Sequence, residues 1–124
     1  MAGTLITNTI SDGTNSATVA SLISGSVKAW VNFNGTTGAI RASYNVTSVT
    51  RNGTGDYTIN FTNALTDANY AVSLSAGNAS TGAYSSNAAY SQAPTSSALR
   101  IAITTVASPP VGTDATYVSV SVFR

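Results

Sequence analysis

The side chains able to carry acid–base chemistry in this sequence are few, because it contains no histidine, cysteine or glutamate. General acid–base or nucleophilic catalysis would have to rely on Asp, Lys, Tyr or Ser. Two carboxylates that hydrolyse a glycoside must face each other across roughly 5–10 Å. The four carboxylates are Asp12, Asp56, Asp67 and Asp114, and their spacing predicts no such pair. We therefore predict that the protein is not an enzyme. A polysaccharide hydrolase is the alternative if Asp56, Asp67 and Asp114 share one groove.

Metal ions and cofactors have no better sites in the sequence. The absence of Cys and His excludes disulfides, thiol nucleophiles and Cys/His zinc sites. The triplet Asp67-Ala68-Asn69 could offer two oxygen ligands to calcium, but it lacks the acidic density and the glycine of a calcium loop. It is more typical of a turn, and we expect neither a metal nor a cofactor.

The composition predicts a neutral, hydroxyl-rich surface. Charged residues make up 7% of the 124 residues, the net charge is +1, and the chain contains 18 Ser and 19 Thr, whereas an average soluble domain has about 25% charged residues. So small a charge predicts no binding to nucleic acid, and no apolar run approaches the ~18 residues of a membrane span. The first residues lack the basic and apolar regions of a signal peptide, so we expect assembly in the cytoplasm in which the chain is made.

Residues 1–25 differ from the rest of the chain. They contain a single charged residue, no aromatic residue, and two short apolar stretches that are too small to form a core. We interpret this segment as an arm that docks onto another protein or mediates oligomerisation, with an edge strand plus loop as the alternative. Its candidate interface residues are Leu5, Ile10, Leu22 and Ile23.

Residues 26–124 begin with the alternation of apolar and polar residues that is typical of strands with one buried face. Three alternating stretches are separated by the turn sequences 34–38 and 51–55, and they predict a three-stranded meander. The second stretch changes parity between Val46 and Val49, which predicts a bulge near Thr47-Ser48. The residues expected to share the inward face are Val27, Ala29, Val31, Phe33, Ile40, Ala42, Tyr44, Val46, Tyr57, Ile59 and Phe61.

The remaining sequence predicts more strands and no amphipathic helix. A fourth strand begins at residues 70–74, a weak one lies within 83–92, and clear ones cover 99–103 and 118–122. No segment carries the 3.6-residue apolar repeat of a helix with one buried face. Short strands at this spacing, six to eight of them, predict an all-β fold for residues 26–124. We expect an antiparallel β-sandwich, with a small barrel as the alternative.

Three aromatic residues are candidates for contact with other molecules. Trp30, the only tryptophan, is out of phase with the Val/Phe face of its strand, which favours burial in a subunit interface. An exposed Trp30 could instead stack on a sugar ring. Tyr84 and Tyr90, with Asn87 between them, lie in the small polar stretch 76–97 and are the candidate ligand-binding residues, since Tyr combines a flat apolar ring with a hydroxyl. The alternative is that these tyrosines anchor the stretch to the body of the protein.

Four strings within residues 28–72 carry a resemblance to a known family: KAWVNFNG, RASYNV, NGTGDYT and ANYAV. Together they resemble the C-terminal module of tailed-bacteriophage fibre proteins. The preceding ISDGTNS…ISGSVKAW is similar to the segment that leads into that module in longer fibres. The resemblance extends over roughly residues 9–75.

This resemblance implies a structural protein of the virion, commonly trimeric, whose variable loops face the host. The implied partners are further copies of the chain, other virion proteins held through the arm, and a glycan or protein receptor on the host surface. A capsid decoration or head-fibre protein that grips the shell through the arm is the alternative. Sandwich modules recur at many positions in a virion, so the fold does not decide between the two.

Overall fold

The fold is mostly β-structure, as the sequence predicted. The computed structural model describes residues 3–78, 89–90, 92–106 and 108–124, without the side chains of residues 89 and 90. These residues form two antiparallel four-stranded sheets, a two-stranded ribbon and one short helix. The eight strands of the two larger sheets confirm the predicted all-β, sandwich-like fold.

The strand order brings distant parts of the chain together. The elements are β1 (Thr9–Ser11), β2 (Ser16–Thr18), α1 (Val19–Gly25), β3 (Val27–Phe33), β4 (Ile40–Tyr44), β5 (Val46–Gly53), β6 (Asp56–Phe61), β7 (Ala71–Gly77), β8 (Ala89–Tyr90), β9 (Ala98–Ala102) and β10 (Tyr117–Phe123). Sheet I has the order β4-β3-β10-β7, and sheet II has the order β5-β6-β9-β8. Strand β10 therefore lies in the middle of sheet I.

One hydrophobic core lies between the two sheets, because alternate residues of β3, β6, β9 and β10 face inward. The rings of Phe33 and Tyr57, from opposite sheets, meet edge to face with their centroids 5.1 Å apart. No polar side-chain atom among the described residues is buried without a hydrogen-bond partner. The buried side chains are Ala29, Val31, Phe33, Val46, Tyr57, Ile59, Phe61, Tyr70, Leu99, Ile101, Ile103, Ala115, Val118, Val120 and Val122.

The second predicted strand is divided between the two sheets at Asn45. This residue has a left-handed φ of 54°, which Asn tolerates better than most residues. Its Nδ2 donates to the carbonyls of Lys28 and Asn63, both at 3.1 Å, and its Oδ1 accepts from the Asn63 N–H at 2.8 Å. The predicted three-stranded meander is wrong, because β4 pairs with β3 in sheet I and β5 pairs with β6 in sheet II.

A register shift between β3 and β4 changes which side chains of β4 face the core. The shift leaves Arg41 as an extra residue in β4, which has the form of a bulge. Ile40 packs against the core, whereas Ala42 and Tyr44 are exposed. The prediction that all three residues face inward is therefore wrong for Ala42 and Tyr44.

The predictions for the turns hold. Both turn sequences connect paired antiparallel strands, and Gly38 and Gly55 within them have φ values of 75° and 71°. The bulge expected near Thr47-Ser48 is confirmed by a register shift between Val46 and Ser48. Local turn chemistry was therefore readable from the sequence.

The arm contains more regular structure than the sequence predicted. Its strands β1 and β2 form a hairpin in which Ile10 pairs with Ala17, and α1 follows directly. Thr18 caps this helix, since its Oγ1 accepts from the Ser21 N–H at 3.1 Å. Seven residues are too few to display a helical period, so α1 was not predictable from the pattern of apolar residues. None of the described arm residues is buried.

Candidate functional site

All nine charged side chains are engaged within the chain, and six of them form ion pairs. Three of the carboxylates each accept hydrogen bonds from a different arginine, so these charges link separate segments of the chain. Surface pairs of this kind contribute little to stability individually. The pairs, with their shortest N–O distances, are Arg51–Asp114 at 2.5 Å, Arg100–Asp56 at 2.6 Å and Arg124–Asp67 at 2.6 Å.

Asp114 has the largest set of donors. Its Oδ1 accepts from the Tyr57 hydroxyl at 2.6 Å and from the Gly55 N–H at 2.9 Å, while its Oδ2 accepts from Arg51 Nη2 at 2.5 Å. Burial acts to raise the pKa of Asp114, but these donors outweigh burial and hold the pKa below its usual value. Burial, together with the bond to Asp114, raises the pKa of the Tyr57 hydroxyl. This cluster fastens the β5–β6 hairpin to the segment before β10.

Two of the other charged side chains are held by the arm. Lys28 Nζ donates to the carbonyl of Ile23 and, at 2.7 Å, to Ser26 Oγ, so it ties the end of α1 to β3. Asp12 Oδ1 accepts from the Asn15 N–H at 2.7 Å and closes the turn between β1 and β2. That hydrogen bond is the main reason why the pKa of Asp12 lies below its usual value. Both charges therefore have hydrogen-bond partners within the chain.

The outward surface of sheet I carries three exposed aromatic rings, and we call it the aromatic face. Trp30 and Tyr44 are register partners on β3 and β4, so their side chains lie next to each other. Their exposed fractions are 38% and 58%, and that of Tyr117 on β10 is 47%. The guanidinium of Arg41 lies over the Tyr117 ring, 4.4 Å from its centroid. Arg41 also donates to Asn32 and to the Thr116 carbonyl.

Hydroxyl groups continue the aromatic face. The row that begins with Tyr44 and Trp30 passes to Ser121 on β10 and Ser73 on β7. Neighbouring strands are about 4.8 Å apart, so such a row spans roughly 14 Å. The hydroxyls of Ser73, Ser75 and Ser121 have no hydrogen-bond partner within the described part of the chain. This face therefore combines rings with hydroxyls that are free to bond elsewhere.

The outward surface of sheet II is polar, and its side chains bond to one another. Asn60 Nδ2 donates to Ser48 Oγ at 3.0 Å and to Thr50 Oγ1 at 3.2 Å, and Asn52 Nδ2 donates to Thr58 Oγ1 at 2.8 Å. Strands β5, β6 and β9 place no aromatic ring on this surface. Sheet I has such a bond from Asn32 Nδ2 to Ser119 Oγ at 2.7 Å, but the hydroxyls of Ser73, Ser75 and Ser121 lack one within the described residues.

The arm exposes large apolar side chains. Leu5, Ile6, Ile10, Leu22 and Ile23 are between 46% and 91% exposed. Clustered exposed apolar residues on a short segment are typical of interaction sites. The arm therefore has apolar surface that the described part of the chain leaves uncovered.

A cleft of about 210 Å³ lies beside the base of the arm. Three of its four polar side chains are already used: Lys28 binds the end of α1, Asn45 holds the corner between β4 and β5, and Arg124 is paired with Asp67. The cleft is therefore part of the structural framework. Its lining residues are Lys28, Asn45, Ala64, Leu65, Thr66 and Arg124.

The predicted site residues fall in different places. The arm residues are exposed, as an interface with another chain requires, and their role remains a prediction. Trp30 faces outward and is partly exposed in the single chain, so its place in a subunit interface also remains a prediction. Tyr84 and Asn87 lie outside the described residues, and of Tyr90 only the backbone, in β8, is described. The ligand-binding role of these three residues stays a prediction.

The sequence analysis did not identify Tyr44 and Tyr117 as surface candidates. Tyr117 alternates with the valines of β10, so its parity alone could have placed it outward. Tyr44 could not be found in this way, because the extra residue at Arg41 reverses the parity of β4.

Comparisons with models of protein families, with curated proteins and with solved structures found no match for this chain. Within the described part of the chain, no helix is long and apolar enough to cross a membrane.

Proposed function

We propose that this protein is a non-enzymatic structural module of a bacteriophage particle, a tail-fibre or appendage module that attaches to the host cell surface and forms a trimer through its arm. The exposed apolar arm beside a sandwich with a complete core is the observation that carries the proposal. The resemblance of residues 9–75 to phage fibre modules supports the setting in a virion.

The energetics of the arm favour association. Burying an exposed Leu or Ile side chain contributes about 1.5–3 kcal/mol, and the arm exposes five of them. Losing translational and rotational freedom on association costs an estimated ~4–15 kcal/mol. Burial of the arm residues of each chain is therefore of the right size to offset that cost. Cyclic oligomers are the common way to bury such surfaces without open-ended growth.

The partnered charges support a role without catalysis. Every aspartate accepts hydrogen bonds from an arginine or from its own turn, so each carboxylate already has a structural role. Attachment needs only shape, hydrogen bonds and copy number, because several weak sites on one particle multiply the effective concentration.

The oligomeric state of the purified chain tests the arm. We expect a trimer by native mass spectrometry and light scattering. The double variant Leu22→Gln/Ile23→Gln should be monomeric, since glutamine keeps the helix propensity of α1 but removes its apolar side chains.

A matched control uses exposed valines outside the arm. Val106 and Val111 are 72% and 60% exposed, and Val106→Gln/Val111→Gln should leave the trimer intact. A monomeric wild-type chain at high micromolar concentration would contradict the proposal, as would a trimer that survives the arm substitutions.

The position of the protein in the particle tests the rest of the proposal. We expect antibody labelling and cryo-electron microscopy of the phage that encodes this chain to place it on a tail appendage. Deletion of residues 2–24 should remove it from the particle. Labelling on the head would instead support a capsid decoration protein, and its absence from purified particles would contradict both functions.

A further inference from the structure

We propose that the aromatic face binds a neutral polysaccharide, with the rings of Trp30 and Tyr44 stacking on sugar rings and the hydroxyls of Ser73, Ser75 and Ser121 bonding to sugar hydroxyls. The biological setting of this inference rests on the proposed attachment function. It assigns Trp30 to a ligand rather than to a subunit contact.

The two rings supply an apolar platform. Trp30 and Tyr44 are neighbours across β3 and β4 and remain substantially exposed. One side of many sugar rings presents C–H groups with partial positive charge, and the face of an aromatic ring is negative, so the two attract when they stack. Rings held on paired strands lose little freedom on binding, because the sheet already fixes their backbone.

The hydroxyls supply the polar half of the site. Ser121 and Ser73 continue the row of the two rings, and Ser75 lies two residues further along β7. Since none of the three hydroxyls has a partner in the described part of the chain, each can donate to and accept from a ligand. A row of about 14 Å across four strands suits an extended chain of sugars rather than one monosaccharide.

The charges of this face select against an acidic ligand. Its cations are Arg41 and Lys28, and both are already engaged: Arg41 with Asn32, the Thr116 carbonyl and the Tyr117 ring, and Lys28 with the end of α1. An anionic sugar would lose water on this surface without gaining a free cation. A neutral sugar pays a smaller desolvation cost, and its hydroxyls can form hydrogen bonds with the serine hydroxyls of the face.

The composition of the face also argues against a second copy of the chain. The cores of stable protein interfaces are enriched in apolar and aromatic residues and depleted in Ser. Here two of the three rings lie on the middle strands β3 and β10, but Asn32 and the serines of β10 lie on the same strands, and the edge strand β7 adds two more serines. A flat protein surface would bury the hydroxyls of Ser73, Ser75 and Ser121 without partners, which is costly, whereas a polysaccharide brings a hydroxyl to each.

Native gels that contain polysaccharide test the inference on the full-length chain. The probes are the soluble neutral polysaccharides galactomannan, mixed-linkage β-glucan and dextran, and the acidic polysaccharides alginate and heparin at equal mass. We expect at least one neutral polysaccharide to retard the protein and neither acidic one to do so. Because Trp30 is the only tryptophan, titration with the retarding polysaccharide should also shift the fluorescence of the protein.

Variants locate the binding site. Trp30→Ala and Tyr44→Ala should each weaken binding by roughly 3- to 10-fold, the range expected for loss of one stacking ring. Trp30→Phe, which keeps a flat ring, should retain most of the binding. The matched control is Thr58→Ala on the outward surface of sheet II, which should bind like the wild type. Circular dichroism and thermal unfolding confirm that each variant is folded.

The contrary outcomes are distinct from failure of the proposed function. Lack of retardation by every neutral polysaccharide, equal retardation by the acidic ones, or unchanged binding of folded Trp30→Ala and Tyr44→Ala overturns the inference. Loss of binding only in Tyr84→Ala/Tyr90→Ala would place the site in the 76–97 stretch and also overturn the inference.

Two further outcomes concern the oligomeric state. If Trp30→Ala dissociates the trimer, the aromatic face is a subunit interface, which overturns the inference but leaves the proposed role in the virion intact. A monomeric wild type that binds polysaccharide contradicts only the trimer.

Discussion

The sandwich and the arm are made from similar residues, but only the sandwich covers its apolar side chains. In the sandwich, alternate Val, Ile and Phe residues face a second sheet and are almost completely buried. In the arm, a two-stranded hairpin and a short helix have no opposing layer, and no described residue is buried. A lone two-stranded hairpin is marginal in water. Apolar residues in the sandwich therefore stabilise the fold, whereas those in the arm are available for association.

The largest contrast is expected between two leucines. Leu99 is completely buried on β9, and Leu5 on the arm is 82% exposed. Leu99→Ala should lower the free energy of unfolding by about 2–5 kcal/mol, because it removes apolar contacts and leaves a cavity. Leu5→Ala should change it by less than about 0.5 kcal/mol. Urea unfolding of monomeric protein checks both values, and equal losses would contradict the division between sandwich and arm.

Two glycines with positive φ give the next contrast. Gly55 has a φ of +71°, and a Cβ there would press against the carbonyl of Ile103 and lie 2.6 Å from the Thr113 nitrogen. Gly55→Ala combines left-handed strain with this clash, so it should cost about 2–4 kcal/mol. Gly13 in the arm has a φ of +96° and nothing within 4 Å. Gly13→Ala should leave the unfolding midpoint of the sandwich unchanged, and a matching loss in both variants would disprove the distinction.

The next comparison is between two asparagines, one that holds a corner between the sheets and one in a local turn of the arm. Asn45→Ala removes the bonds that link β3, the β4–β5 corner and residue 63, and should cost about 1–3 kcal/mol. Asn45→Gly should cost less, since glycine relieves the positive φ but does not restore the bonds. Asn15 makes a single side-chain bond, to Asp12 at 3.4 Å, and Asn15→Ala should have no measurable effect on thermal unfolding of the sandwich. If Asn45→Ala proved as mild, its side chain would not be holding the corner.

The smallest contrast concerns two aspartates and the pH. The pKa of Asp114 is lowered in the folded protein, so its contribution is fully present above the unfolded value of about 4 and is lost as the pH falls through the folded value. Asp114→Asn should cost about 1–2 kcal/mol at pH 7 and flatten the acid limb of the stability curve. Asp12→Asn, in the arm, should leave the unfolding curve of the sandwich unchanged between pH 7 and pH 2.

Asp67 provides an internal reference for that experiment. The ion pair with Arg124 lowers the pKa of Asp67 to about 2, so its effect should be lost at lower pH than that of an ordinary carboxyl group. In Asp114→Asn, the part of the acid transition that Asp67 contributes should therefore lie at lower pH. A curve that stays identical to the wild type would show that the Asp114 cluster is not coupled to folding.

The strands were predictable because their signal is local. Alternation at residues 27–33, 57–61 and 118–122 depends only on neighbours in the sequence, and the structure buries the predicted residues apart from Val27, which is half-buried. The division at Asn45 was not predictable, because its side chain is held by the carbonyls of Lys28 and Asn63, which are remote in the sequence. The helix α1 was missed because its residues bury no face.

The candidate surfaces were predictable only in part. Composition alone suggested that the arm residues lack a core, and parity alone placed Trp30 outward. The aromatic face was not predictable from local sequence. The bulge at Arg41 turns Tyr44 from the inward to the outward surface, and Ser121 and Ser73 join its row only through the strand order β4-β3-β10-β7. Strand order depends on long-range pairing, which a single sequence does not display.

The central position of β10 has a consequence for biosynthesis. As the chain leaves the ribosome, β3 and β7 emerge well before residues 117–123, which are the strand that joins them. Until β10 emerges, sheet I is incomplete, and the inward valine and phenylalanine side chains of β3 stay exposed to water. Pairing between strands that are distant in the sequence is also slow. During that delay the nascent chains have few charges with which to repel one another, so they are prone to aggregate. Misassembly of this chain should therefore first be seen on polysomes at high expression.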